Sequence, residues 1–229
     1  MPHAAAAPDP RRLLDAVPFL AGLPEEARSR LAAVARPARW AVGETLFRRG
    51  DPAEGMAVVL DGLVRVHLST AGGRELTLAL VGPGEPVGEV ALVDDGPRSA
   101  DATALTPVSA LLLCRAEARA AVASDPTLAC LLLRSFATRL RRTTEQVEAV
   151  GLQGLPQRLA GTLLRLAAAD PCGLVRLPQG QIATIVAASR QRVNTTLAEF
   201  RARGLVAPAR VGLRLTDPDG LRVLAAEEA

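Results

Sequence analysis

The chain has 229 residues, 49% hydrophobic and 22% charged, enough apolar material for one large core or two small ones. Aromatics are only 2%, so the core must be mostly Leu, Val and Ala, and a formal charge of +3 is carried without lysine, by 27 arginines. Cys114, Cys130 and Cys172 are odd in number and far apart, which excludes a disulfide framework or zinc site and predicts buried small hydrophobes in a reducing cytosol.

The first ten residues are Ala/Pro-rich without a basic-then-apolar pattern, and no uncharged run approaches membrane-spanning length. A cytoplasmic protein with no membrane partner is expected. Residues 12–17 and 24–34 read as short helices, the second opening on Pro24, Glu25 and Glu26, where the helix dipole favours acids. From Trp40 to Leu113 the signal changes to strands. Short apolar runs at 57–60, 63–66 and 76–81 are cut by turns at Gly50-Asp51, Asp61-Gly62, Ala71-Gly72-Gly73 and Gly82-Pro83-Gly84. Strands so regularly spaced predict an antiparallel barrel or jelly roll. His67 falls within a strand pattern and needs no further role.

Within this region, Val87-Gly88-Glu89-Val90-Ala91-Leu92 is followed by Arg98-Ser99-Ala100. Gly88 has no Cβ to keep a ligand from the backbone. The run from Glu89 to Val93 can start a helical turn whose N–H groups point at an anion. Arg98 offers a planar fork of donors suited to phosphate, and Ser99 adds a hydroxyl. Glu89 repels a phosphate, so it makes sense only as an acceptor for a hydroxyl such as a ribose carries. The same spacing also suits a surface turn closed by an Arg–Glu ion pair.

Residues 117–123 read as a short helix, and Asp125-Pro126 opens a long one. Along it Leu133, Phe136, Leu140, Thr143, Val147 and Val150 follow at alternating spacings of three and four, a heptad seam that predicts a parallel homodimer. A helix packed on its own barrel shares part of this pattern. Thr143 is polar in mid-seam, with Thr144 beside it, and a buried hydroxyl needs a partner. The pair could bond the edge of a base lying between barrel and helix; a bond back to the helix's own carbonyls is the plainer alternative.

Two glycines and a proline at 151–156 mark a hinge. A helix at 157–168 follows, with Leu159, Leu163 and Leu166 on one face. Helices at 179–187 and 189–203 then sit so close that they must turn sharply, which is a helix-turn-helix. Ser189 is a good N-cap and Gly204 a good stop. The second helix presents Arg190, Gln191, Arg192, Asn194 and Thr195, side chains suited to phosphates and base edges. Residues 205–207 and 211–215 read as the two strands of a wing, and Asp217-Pro218 caps a last helix at 219–226. Between Pro156 and Gly212, eight arginines face two acids, the footprint of a nucleic-acid-binding part on a mildly acidic body.

These motifs resemble the Crp/Fnr family of bacterial transcription regulators from about Leu20 to the end. Gly-Glu-x-Ala-Leu, five residues, then Arg-Ser-Ala is similar to that family's phosphate-binding cassette, which includes Gly88, Glu89, Val90, Ala91, Arg98, Ser99 and Ala100. Gly50-Asp51 and Asp61-Gly62 resemble its barrel turns, residues 158–167 its first DNA-domain helix, and Ser-Arg-x-x-Val-Asn from Ser189 its recognition helix. The resemblance implies an α+β fold: an N-terminal cyclic-nucleotide-binding β-barrel (residues 1–125), a dimerisation helix and hinge (126–154) and a C-terminal winged helix-turn-helix (155–229). It implies that Glu89 takes the ribose 2′-hydroxyl, that Arg98 and Ser99 take the cyclic phosphate, and that Thr143 and Thr144 meet the base. The matching pair in the family's cyclic-AMP-responsive members is a Thr followed by a Ser. Ser189, Arg190, Gln191, Arg192, Asn194 and Thr195 would contact DNA. Those members carry Glu and Arg where this chain has Gln191 and Thr195, so the half-site is expected to differ. Ala187 stands where the turn often has Gly, a small cost if its φ stays negative.

The expected function is a homodimeric, cyclic-AMP-responsive regulator of double-stranded DNA at near-palindromic operators, with RNA polymerase as a further implied partner and cyclic AMP as effector rather than catalytic cofactor. Cyclic GMP, another nucleotide or no ligand at all is the alternative within the family. A haem or iron–sulfur sensor is disfavoured, since there is no cysteine cluster and His3 and His67 are poor axial ligands. An enzyme acting on cyclic nucleotides is a third reading. No metal-holding His/Asp cluster and no nucleophilic set can be assembled for it, so no catalytic or metal residue is expected.

Overall fold

The computed structural model describes residues 24–70, 72 and 75–227. The helix expected at 12–17, His3, and Ala71 and Gly73 of one turn lie outside the described residues. Two compact units emerge. One holds the described residues up to 68 together with 79–141; the other holds the described residues between 69 and 78 together with 142–227.

In chain order the described elements are α1 (Glu25–Val34), then strands β1 (Arg36–Trp40), β2 (Thr45–Phe47), β3 (Gly55–Asp61) and β4 (Val64–Ser69). β5 (Glu75–Val81), β6 (Pro86–Val87), the one-turn helix α2 (Val90–Val93), β7 (Asp101–Ala104) and β8 (Val108–Cys114) follow. The strands form two four-stranded sheets, β1-β8-β3-β6 and β2-β7-β4-β5, in the antiparallel pairing of a jelly roll. Strand signal was expected from Trp40, but β1 starts at Arg36. It pairs only with β8, and an edge strand tolerates Pro37 and two arginines that a central strand would not.

β3 is buried at Met56, Ala57, Val58 and Val59 without alternation, because both its faces are covered. Met56 and Val58 pair with Leu113 and Leu111 in register, and this face packs against Leu31, Ala118, Leu128 and Leu132. The last three come from α3 (Arg115–Ser124) and α4 (Pro126–Leu152). The opposite face is filled by small residues such as Ala102, Ala104 and Ala110, so the barrel closes on Val, Leu and Ala as the scarcity of aromatics requires. Phe136, expected in the dimer seam, is half-buried and packs partly against this core. The cysteines also depart from expectation: all three are exposed. Cys114 is the last residue of β8, and Cys172 lies in the turn after the next helix.

The second unit is built on α5 (Leu155–Ala169), which starts two residues before the expected 157 because Pro156 sits comfortably in a first turn. Helices α6 (Gln179–Ile185) and α7 (Arg190–Ala202) follow, then α8 (Pro218–Ala226), capped by the Asp217 carboxylate accepting from Gly220 N at 2.9 Å. Leu159, Leu163, Ile182, Leu197, Phe200 and Leu221 make its core. The wing has three strands rather than two: β9 (Leu174–Val175) joins β10 (Val206–Pro208) and β11 (Leu213–Leu215) in the order β10-β11-β9. A two-residue strand carries too little periodicity to be read in advance.

Candidate functional site

The cassette forms one recess in the first unit. Gly88, Val90, Ala91, Arg98, Ser99 and Ala100 line it, joined by Phe47 from β2 and Arg139 from α4, and the space including its mouth is about 280 Å³. Gly88 has φ +83°, and a Cβ there would collide with Arg98 Nη1 and crowd Phe47 Cε1 at 3.2 Å. What the glycine admits is therefore the Arg98 guanidinium, which donates from Nη1 to Gly88 O at 2.9 Å.

Glu89 is fully buried, so it is no part of a surface turn, and its ion pair is with Arg139 at 3.0 Å rather than with Arg98. It precedes α2 without capping it. Although the distance to Arg139 is that of an ion pair, neither carboxylate oxygen accepts a well-directed hydrogen bond from another described residue. Burial pushes its carboxyl above the usual range, with the Arg139 charge opposing that shift. Arg139 is further held by donation from Nη2 to Pro86 O at 2.8 Å.

Arg98 is half-buried, and burial draws its guanidinium below the ordinary value, with Asp51, Glu54 and Glu89 opposing. Its Nε is buried and bonds to nothing in the described residues. A buried donor and a buried acceptor both left open in one neighbourhood suit a ligand carrying an anion and a hydroxyl. Thr143 and Thr144 belong to the second unit. They lie on α4 four and five residues beyond Arg139, Thr143 half-buried and Thr144 exposed.

In the second unit, α6 and α7 are joined by four residues, Val186 to Ser189. The Ser189 hydroxyl accepts from Arg192 N at 3.3 Å, the N-cap read from the sequence. Val193, Thr196, Leu197 and Phe200 face inward, which leaves Arg190, Gln191, Arg192, Asn194 and Thr195 exposed along the opposite side. The Thr195 hydroxyl donates back to Gln191 O at 3.2 Å. Ala187 has φ +51°, so the condition under which it would cost little is not met; the turn imposes the left-handed conformation on a residue with a Cβ.

Arg158, counted above in the basic charge of this segment, is engaged within the fold. It donates from Nε to Val186 O at 3.1 Å and from Nη1 to Gln153 O at 2.6 Å, tying the end of α6 to the end of α4. Arg176 likewise pairs with Asp170. Sequence reasoning also missed Arg139 and Phe47. A charged residue on a long helix and an aromatic in a three-residue strand carry no local mark of which recess they line.

Residues 38–125 match the family model for the cyclic nucleotide-binding domain, and residues 157–224 that for the Crp-like helix-turn-helix domain. Together they define a class of protein: a DNA-binding regulator that carries a cyclic-nucleotide-binding domain. The chain is 34% identical over 192 residues to the CRP-like cAMP-activated global transcriptional regulator of Mycobacterium tuberculosis, covering 81% of this chain and 86% of that one. It is 32% identical over 164 residues to the cyclic AMP receptor protein of Thermus thermophilus, covering 72% and 76%. A crystal structure of a CRP-family transcriptional regulator from Thermus thermophilus superposes with a TM-score of 0.71 at 30% identity, over 83% of this chain and 97% of that one. The chain belongs to the Crp/Fnr family of transcription regulators.

Proposed function

We propose that this regulator binds cyclic AMP in the cassette recess and, as a homodimer, uses the binding event to control DNA recognition. The observation that carries the reading is the Arg98 Nε donor, buried and unpartnered among the described residues, in the same cassette as the fully buried Glu89 carboxylate. A cyclic nucleotide supplies a phosphate for the first and a ribose hydroxyl for the second. Arg98 and Ser99 hold the phosphate in this reading, Glu89 accepts from the 2′-hydroxyl, and Thr143 and Thr144 meet the base. Ser189, Arg190, Gln191, Arg192, Asn194 and Thr195 contact DNA.

The dimer is supported by the exposed side of α4. Leu133, Leu140 and Val147 recur every seven residues and are 66%, 69% and 66% exposed, an apolar stripe along one side of the helix. The functional division follows: an effector domain to residue 125, a dimerisation helix and hinge over 126–154, and a DNA-binding domain from 155. Ligand binding favours one arrangement of the hinge, with the two recognition helices about 34 Å apart on near-palindromic double-stranded DNA. The protein acts in the cytoplasm, with RNA polymerase as a downstream partner and no catalytic step of its own. Among the described residues no single helix is long and apolar enough to cross a membrane.

Cyclic GMP, which carries the same cyclic phosphate and ribose hydroxyl, is the second reading. Calorimetry decides between them. Wild type is expected to bind cyclic AMP, and Arg98→Ala to bind it at least about tenfold more weakly, the loss of a charge-assisted contact. Absent or undiminished binding overturns the reading. Comparing cyclic AMP and cyclic GMP on wild type and Thr143→Val, then selecting bound DNA from a random pool with and without ligand, tests base choice and half-site.

A further inference from the structure

The Arg98 guanidinium is held before any ligand arrives. Its central carbon stands 4.2 Å from the centroid of the Phe47 ring, within cation–π range. One edge is engaged by Gly88 O. The main chain locks the same pair of segments together, with Arg98 N donating to Asp51 O and Gly50 N donating to Arg98 O, both at 2.9 Å. The glycine's missing Cβ leaves just the thickness that guanidinium and ring require. The remaining buried donor, Nε, has no partner in the described residues.

We infer that Phe47 is a positioning residue for anion capture: its ring fixes the plane of Arg98 and so presents the guanidinium to the ligand's phosphate. This rests on the cyclic-nucleotide reading above. A long arginine side chain loses rotamer freedom when it is immobilised on a ligand, and one already stacked on a ring has lost that freedom in advance. An aliphatic side chain at position 47 would fill similar space without the ring's negative face.

The test is a double-mutant cycle read by calorimetry with cyclic AMP, using the full chain and checking each variant's thermal midpoint. Phe47→Leu is expected to weaken binding about three- to tenfold, the range for a partly desolvated cation–π contact. Phe47→Tyr, which keeps the ring, should stay within about twofold of wild type. In an Arg98→Gln background, titrated at high ligand concentration, Phe47→Leu should change affinity by less than about 1.5-fold, since no cation remains for the ring to hold. Equal losses with and without the guanidinium, no loss in wild type, or a Tyr variant as weak as the Leu variant would overturn the role of Phe47 while leaving nucleotide binding intact. A wild type that binds neither cyclic AMP nor cyclic GMP overturns the functional reading, and the role of Phe47 with it.

Discussion

The Glu89 carboxylate, fully buried, lies 3.0 Å from the Arg139 guanidinium, which joins the cassette to the long helix across fifty residues of sequence. A buried pair of this kind is costly to break one side at a time, because the surviving charge is left without compensation. Arg139→Met should destabilise the protein by about 3 kcal/mol, and Glu89→Gln added to it should recover most of that loss. Urea unfolding of the two single variants and the double variant measures the coupling; strict additivity would mean the pair contributes nothing.

The same burial makes stability depend on pH. Burial raises the Glu89 carboxyl above its ordinary 4.5, so its contribution is fully present below the unfolded value and is lost as pH rises through the folded one. Wild type should therefore lose stability relative to Glu89→Gln as pH climbs from about 4.5 upward. Urea midpoints of both proteins across that window check the sign. A constant difference would show that folding does not perturb this carboxyl.

Ala187 at φ +51° gives a prediction of opposite direction. Glycine relieves the Cβ clash of the left-handed conformation, so Ala187→Gly should stabilise the protein by up to about 1 kcal/mol, the gain being trimmed by glycine's greater unfolded freedom. Thermal unfolding reads it. DNA affinity of the variant then reports whether the turn's strain also sets the pose of α7.

The seam on α4 is tested by charge. Leu140→Asp places a carboxylate in the middle of the exposed apolar stripe while leaving Leu128 and Leu132, on the barrel-facing side, untouched. Analytical ultracentrifugation should show a dimer for wild type and a shift toward monomer for the variant, with the monomer's fold retained by circular dichroism. An unchanged sedimentation profile would remove this helix as the joining element.

Much of the architecture was legible along the chain. Alternating apolar runs cut by Gly/Asp turns located β3, β4 and β5, and the glycines at 151 and 154 with Pro156 located the break between α4 and α5. Ser189, Val193, Leu197 and Phe200 marked cap and core face of α7, leaving its polar side exposed. Capping and periodicity are local physics, and local sequence expresses them directly. Partnership is different. The sequence placed a carboxylate and a guanidinium at 89 and 98 but could not say that Glu89 pairs with Arg139, that Gly88 makes room for Arg98 stacked on Phe47, or that Arg158 is held by two main-chain carbonyls. Those outcomes depend on which strand edges and helix faces meet, and burial then sets their energies, since a charge removed from water must find its counter-charge wherever the fold brings one.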